Sequence, residues 1–272
     1  MGTDAETKAA ETPPRFLYRY LDHYGLNAIY DLELKITPPN EFADPFEFTP
    51  RLSDSEGEWL AAYARYRKEG MPEISMEEFK NRGFKSKLDQ DMPRRFLESV
   101  SKELGVLCFS TEADIPTQWA NYADGHRGLA LEIDSWAPSF KDYWLRRVRY
   151  CSQEEKTGQE LFTAIEKVEK SNEVSGLMEI LKMCAEEKMK KWENENECRL
   201  IATLLQMKAR LVEGCVLYFF ELHAAEIKRV ILGALASAEF EREVRKAAAR
   251  HGIAVVRATL DYGNLTVSIP EA

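Results

Sequence analysis

The chain has 272 residues and a formal net charge of −9 at pH 7, from 37 Lys and Arg against 46 Asp and Glu. That balance argues against general nucleic-acid binding, which needs an excess of cations to neutralise phosphates. Hydrophobic residues make up 44% of the chain, enough for a sizeable core, and no run reaches the roughly 18 apolar residues that span a bilayer.

Residues 1–14 lack the basic-then-apolar pattern of a leader and are expected to be a disordered tail. Arg15–Asp22 reads as the first strand, with Leu17, Arg19 and Leu21 on one face and Phe16, Tyr18 and Tyr20 on the other. Arg19 is then either an edge arginine whose head reaches water or an arginine facing a polar ligand. Leu32, Leu34 and Ile36 alternate within Asn27–Pro39 and suggest a second strand. Asp44, Pro45 and Glu47 fit the first turn of a helix closed by a capping box. Helices are expected over about 54–69 and 75–104, with Ser75 and Glu78 as a further capping box and breaks at Gly83 and Pro93.

The richest stretch is Val106–Asp134, read as strand, helix, turn, strand. Ser110 or Thr111, and Asp114, are candidate caps for its helix. Trp119, Tyr122 and Ala123 share a helical face, Asp124-Gly125 signals a turn, and Leu129–Ile133 is a second apolar strand. His126 is either a satisfied structural histidine or a ligand-facing group.

Tyr143–Tyr150 alternates as a strand that carries Arg146, Arg147 and Arg149, a solvated face or a local anion-binding strip. One or two amphipathic helices follow over about 153–191, interrupted near Ser171–Gly176. A strand then places Cys198, Leu200 and Ala202 on one face, and Glu195, Glu197, Arg199 and Ile201 on the other. Glu195 and Glu197 are either paired carboxylates in a pocket or part of a charged face with a Glu197–Arg199 ion pair. Strands at Val216–Leu222, Ile227–Leu232, Ile253–Ala258 and Leu265–Ile269, with a helix over Ala236–His251, complete the chain.

Phosphate-cradling loops, GxSxG elbows and HExxH pairs are missing from the sequence, and the four histidines have no metal-ligand spacing, so no metal is expected. Cys108, Cys151, Cys184, Cys198 and Cys215 are widely spaced, with no CxxC, and are expected to be reduced core thiols of a cytoplasmic protein.

Several separated pieces together resemble a bacterial domain-of-unknown-function family, number 2971. They are Tyr18-Arg19-Tyr20, Phe42–Glu47, Cys108-Phe109-Ser110, the block from Trp119 through Tyr122, Ala123, Asp124, His126 and Arg127 to Gly128, Trp192 with Glu195, Glu197 and Arg199, and Ile231-Leu232-Gly233. The resemblance runs from about Phe16 to the C-terminus. Ala43 stands where the family usually has Asn, and Cys198 where an aromatic is common.

A weaker resemblance is to the ADP-ribosyltransferase fold, one branch of which uses an early-strand Arg, a middle-strand Ser motif and a later Glu-x-Glu. Arg19, Ser110-Thr111 and Glu195-Asn196-Glu197 occur in that order, although no second Ser follows Thr111. The likeness implies NAD as substrate. Glu197 would stabilise the oxocarbenium-like ribose and Glu195 would activate an acceptor. Ser110 would fix the ribose or the Glu197 carboxylate by hydrogen bond, Arg19 would hold the phosphates, and Tyr122 or Trp119 would stack on nicotinamide, with His126 nearby.

The expected fold is a single α+β domain over residues 15–272, a mixed, largely antiparallel sheet with helical insertions at about 54–104 and 153–192. The expected function is an NAD-consuming enzyme, through ADP-ribosyl transfer or NAD glycohydrolysis, in bacterial stress or phage defence. Its partners are a small-molecule nucleotide and an unidentified macromolecular acceptor, with no membrane. One alternative is a metal-dependent nuclease or phosphodiesterase built from Asp44, Glu47, Glu132 and Glu195 or Glu197. Another is a non-catalytic binding module in which Trp119, Tyr122 and His126 pack in the core and Asp124 pairs with Arg127.

Overall fold

The computed structural model describes residues 13–152, 155–156 and 158–271, so the tail expected at 1–14 lies almost wholly outside the described residues. Of that tail, Pro14 is described, and its carbonyl accepts a hydrogen bond from Ser135 Oγ (2.7 Å).

In chain order the structure runs β1 (Phe16–Leu21), α1 (Gly25–Asp31), β2 (Glu33–Ile36), α2 (Glu56–Lys68), α3 (Met76–Asn81), α4 (Phe84–Val100), β3 (Leu104–Ser110), α5 (Pro116–Tyr122), β4 (Leu129–Asp134), β5 (Trp144–Arg147) and β6 (Arg149–Cys151). It continues with α6 (Leu161–Ser171), α7 (Ser175–Glu186), β7 (Glu187–Met189), β8 (Glu197–Thr203), β9 (Lys208–Val212), β10 (Cys215–Glu221), β11 (Ile227–Leu232), α8 (Ala238–Arg250), β12 (Ala254–Arg257), β13 (Thr259–Asp261) and β14 (Thr266–Ser268).

The chain divides into two compact units, one of residues 1–37, 104–148 and 191–272, the other of residues 38–103 and 149–190. The first contains a seven-stranded sheet in the order β12-β11-β4-β1-β3-β8-β5 and a three-stranded sheet, β2-β10-β9. In the larger sheet β11 and β12 run parallel and every other neighbouring pair runs antiparallel, so the fold is α+β with a mixed, largely antiparallel sheet.

One face of this sheet carries most of the apolar core, with Arg19 and Arg147 among its polar members. Leu17, Leu107, Phe109, Leu131, Cys198, Leu200 and Val230 pack there with Ile29 of α1 and Val244 and Ala247 of α8. Burying such side chains is the main favourable term in folding, about 25 cal/mol per Å² of apolar surface. On the opposite face Tyr20, Trp119, Ala130, Ile231, Ala258 and Val267 form an apolar cluster, and Val106 of β3 and Ile201 of β8 are buried as a further apolar pair. That face also carries a row of polar side chains.

The second unit holds α2, α3, α4, α6 and α7 with the short parallel pair β6 and β7. Glu58 of α2 is its organising polar group. Its buried carboxylate accepts from Phe162 N (2.7 Å), Thr163 N (3.0 Å) and Thr163 Oγ1 (3.0 Å), satisfying orphan donors in the first turn of α6. Burial nevertheless raises the pKa of Glu58 above the usual carboxylate value.

Several local expectations need correction. Asn27 to Asp31 is helical, and the strand begins only at Glu33, because Leu32 adopts a left-handed conformation (φ 53°) that closes α1. Asp44–Glu47 forms a turn rather than a capped helix. Asp44 Oδ1 accepts from Phe46 N (3.0 Å), and Glu47 pairs with the buried Lys188 (3.2 Å). Gly83 separates α3 from α4, whereas Pro93 lies inside α4, which continues to Val100. The cap expected from Ser110, Thr111 or Asp114 is absent: Ile115 is the N-cap of α5 and Pro116 its first residue. All five cysteines are thiols, but Cys215 is exposed. Burial pushes the Cys184 and Cys198 thiols up to about 12.

The corner after α5 is the tightest part of the first unit. Asp124, Gly125 and His126 are consecutively left-handed, with φ of 48°, 56° and 66°. Asp and His tolerate this region better than most residues, and Gly has no Cβ to clash. The turn satisfies exposed carbonyls at the helix end, with His126 N donating to Trp119 O (3.0 Å) and Gly128 N to Ala123 O (2.8 Å). Gly233 N then donates to Gly128 O and Leu235 N to His126 O, both at 2.9 Å. A Cβ on Gly233 would lie 2.2 Å from His126 O, and one on Gly128 would lie 2.2 Å from Leu21 O. Gly233→Ala is therefore expected to lower the stability of the chain by about 3 kcal/mol, read as a lower urea midpoint; an unchanged midpoint would show that the two loops can separate without cost.

Candidate functional site

Cross-strand partners in a sheet point to the same side. Tyr18 pairs with Ser110, Ser110 with Glu197, Tyr18 with Glu132, and Glu132 with Arg229. These registers set one polar row across five adjacent strands, Arg229–Glu132–Tyr18–Ser110–Glu197, on the face opposite Leu17. In the neighbouring row Arg199 pairs with Cys108 and with Arg146.

The row is closed at both ends by ion pairs. Arg229 Nε pairs with Glu132 Oε2, and Arg229 Nη1 donates to Pro270 O (2.7 Å). At the other end Arg199 is fully buried (0% exposed), and Glu197 is 5% exposed. Arg199 Nε donates to Glu197 Oε1 (2.6 Å) and Nη2 to Oε2 (3.3 Å), a bidentate clamp. The ion pair read from the sequence thus exists, but inside the protein, where breaking it costs far more than at a surface. Tyr18 lies between these ends. Burial, followed by the charge of Glu132, raises its pKa, so the phenol remains a proton donor.

Glu195 does not continue the strand alternation. It ends a 3₁₀ turn over Lys190–Glu195, and Asn196 after it is left-handed (φ 47°). The Glu195 carbonyl accepts from Ser110 Oγ (2.9 Å) and Gln118 Nε2 (3.4 Å), while the Asn196 carbonyl accepts from Thr111 N (2.9 Å). Its carboxylate Oε1 accepts from Tyr122 OH (2.7 Å). Glu195 is buried; Tyr122 is 45% exposed.

The structure therefore brings together Ser110, Glu195, Glu197 and Tyr122, four of the residues selected from sequence. The other three lie apart. Arg19 pairs with Leu131 across β4 and so faces the apolar side, where its Nη1 donates to Cys108 O (2.6 Å). Trp119 is fully buried, donates Nε1 to Ala113 O (2.8 Å) and packs edge-on against Tyr20 at 5.1 Å, so its ring is not available to a ligand. His126 stacks on Trp119 (6.4 Å), and burial lowers its pKa, which favours the neutral ring. The Asp124–Arg127 pair of the binding-module reading is a contact of Arg127 Nη1 with the Asp124 carbonyl (3.4 Å).

Tyr18, Gln118 and Arg146 are the site residues that sequence reasoning missed. The period-two pattern already placed Tyr18 opposite Leu17, and was the signal available for it. Gln118 has no motif signal. Arg146 was visible as part of a basic strip, and its pairing with Arg199 puts it on the polar face.

Residues 118–200 match the model of a family described as a protein of unknown function, DUF2971. The family resemblance read from the sequence is borne out over that stretch, which includes Gln118, Tyr122, Glu195, Glu197 and Arg199. No curated protein and no solved structure matches the chain. The likeness to the ADP-ribosyltransferase fold gains no support from these comparisons. Among the described residues no helix is long and apolar enough to cross a membrane.

Removing Arg199 strips Glu197 of its clamp. Arg199→Met is expected to cost about 3–5 kcal/mol. Combining it with Glu197→Gln is expected to cost clearly less than the sum of the two single changes, measured as urea midpoints in a double-mutant cycle. Strict additivity would show that the two side chains are not coupled.

Proposed function

We propose that the polar face of the seven-stranded sheet binds NAD and breaks its nicotinamide–ribose bond, by ADP-ribosyl transfer or by hydrolysis. The observation that carries this reading is the register that sets Tyr18, Ser110 and Glu197 side by side on three adjacent strands, with the Tyr122–Glu195 pair at the Ser110 end.

Cleavage of that bond builds positive charge on the ribose. A carboxylate fixed in advance stabilises such charge without reorganising during the reaction, and Glu197, clamped by Arg199, is fixed. Arg199 is thus a positioning residue. The Tyr18 phenol, in the same row as Glu197, offers a hydroxyl for the sugar, and Ser110 between them holds the Glu195 carbonyl. Glu195 serves as general base toward the acceptor. The phosphate role given to Arg19 passes to Arg146, because Arg19 faces the opposite side.

The metal-dependent phosphodiesterase reading is less well supported. Glu132 is paired with Arg229 two strands away from Ser110. Among the described residues no three Asp, Glu, His or Cys side chains converge in a ligand-like group. The proposed setting is cytoplasmic, where the five cysteines would stay as thiols.

The test is incubation of the purified chain with NAD while following free nicotinamide. Wild type is expected to release it, and Glu197→Gln to do so at least ~100-fold more slowly. No release by either, with no NAD-dependent rise in melting temperature, would refute the reading.

A further inference from the structure

We propose that Tyr122 is itself the acceptor, so that the protein attaches ADP-ribose to its own phenol oxygen with Glu195 as the general base. This rests on the NAD reading and names the acceptor of that same site.

A nucleophile of this kind needs a base within hydrogen-bonding distance, and that base must be oriented by a third group. All three are present. The Tyr122 hydroxyl lies 2.7 Å from Glu195 Oε1. Glu195 is oriented through its own backbone, which Ser110 Oγ and Gln118 Nε2 hold by the carbonyl. The left-handed Asn196 that follows is fixed by Thr111 N. Ser110 also pairs in register with Glu197, the group that would face the reacting sugar.

Exposure distinguishes Tyr122 from the two residues that share its helix face. Trp119 and Ala123 on the same helix face are fully buried, whereas Tyr122 is 45% exposed. Glu195 is buried, and the phenol already occupies the hydrogen bond through which it would deprotonate an incoming hydroxyl. Tyr122 therefore stands where an acceptor hydroxyl must stand.

The step balances without a redox partner. The phenol oxygen forms a bond to the ribose C1′ carbon and its proton passes to the Glu195 carboxylate. The bond from C1′ to the nicotinamide nitrogen breaks, its electron pair stays on that nitrogen, and neutral nicotinamide leaves. The phenol is consumed, so one chain accepts one ADP-ribosyl group.

The experiment incubates the wild-type chain with NAD, measures intact mass and free nicotinamide together, and maps any adduct by fragmentation. The expected result is one ADP-ribosyl group per chain, located on Tyr122 and absent from Tyr122→Phe. Nicotinamide release with Tyr122 unmodified would overturn this inference while leaving the NAD reading in place. Neither nicotinamide nor adduct would overturn both. Mapping is done on the wild-type chain, so the outcome does not hinge on how the variant folds.

Discussion

Arg199 carries a permanent charge into the interior of a β-sheet, and the polar face is organised by the need to neutralise it. A guanidinium removed from water costs several kcal/mol unless an anion and further hydrogen bonds answer it. Glu197, two residues earlier on the same strand and face, supplies that anion in bidentate geometry. Once Glu197 is fixed, the register of β8 against β3 puts Ser110 beside it, and the register of β3 against β1 puts Tyr18 beside Ser110. The second buried pair, Arg229 with Glu132, closes the other end. Ion-paired polar groups are thereby gathered on one side of the sheet, while the other side carries most of the apolar core.

A stiff corner holds the helix that overlooks this face. Three consecutive left-handed residues and the glycine contacts at Gly128 and Gly233 lock the end of α5 against the loop after β11. Trp119 and Ala123 anchor the helix beneath, and Tyr122, at its last turn, is left turned outward to reach Glu195. Much of the chemistry crowded into the Trp119–Gly128 block is thus scaffold: an indole, an imidazole and two glycines hold one phenol in place.

Period-two patterning was a reliable guide wherever a strand has one apolar face. It separated Leu17 from Tyr18 and grouped Cys198, Leu200 and Ala202, and the structure keeps both assignments. Chemical analogy was less reliable. Arg19 attracted a ligand role by its residue type, although its own alternation placed it on the Leu17 side. Glu195 looked like a strand residue because the alternation cannot reveal that Asn196 turns left-handed and resets the direction of the chain. The capping box at Asp44–Glu47 failed for a related reason. Its residue types suit a helix start, but no apolar periodicity follows to stabilise one, and Glu47 is drawn instead into a buried pair with Lys188. Gln118 was out of reach, since a single amide acquires meaning only from the carbonyl it meets.

The central claim is that ligand binds the Tyr18–Ser110–Glu197 face. The most direct measurement is a crystal structure of the protein with a non-hydrolysable NAD analogue. The account predicts the nicotinamide ribose against Ser110 and Glu197, with Tyr122 and Glu195 at its edge. An analogue lodged on the Arg19 side of the sheet, or no bound analogue at a saturating concentration, would contradict it.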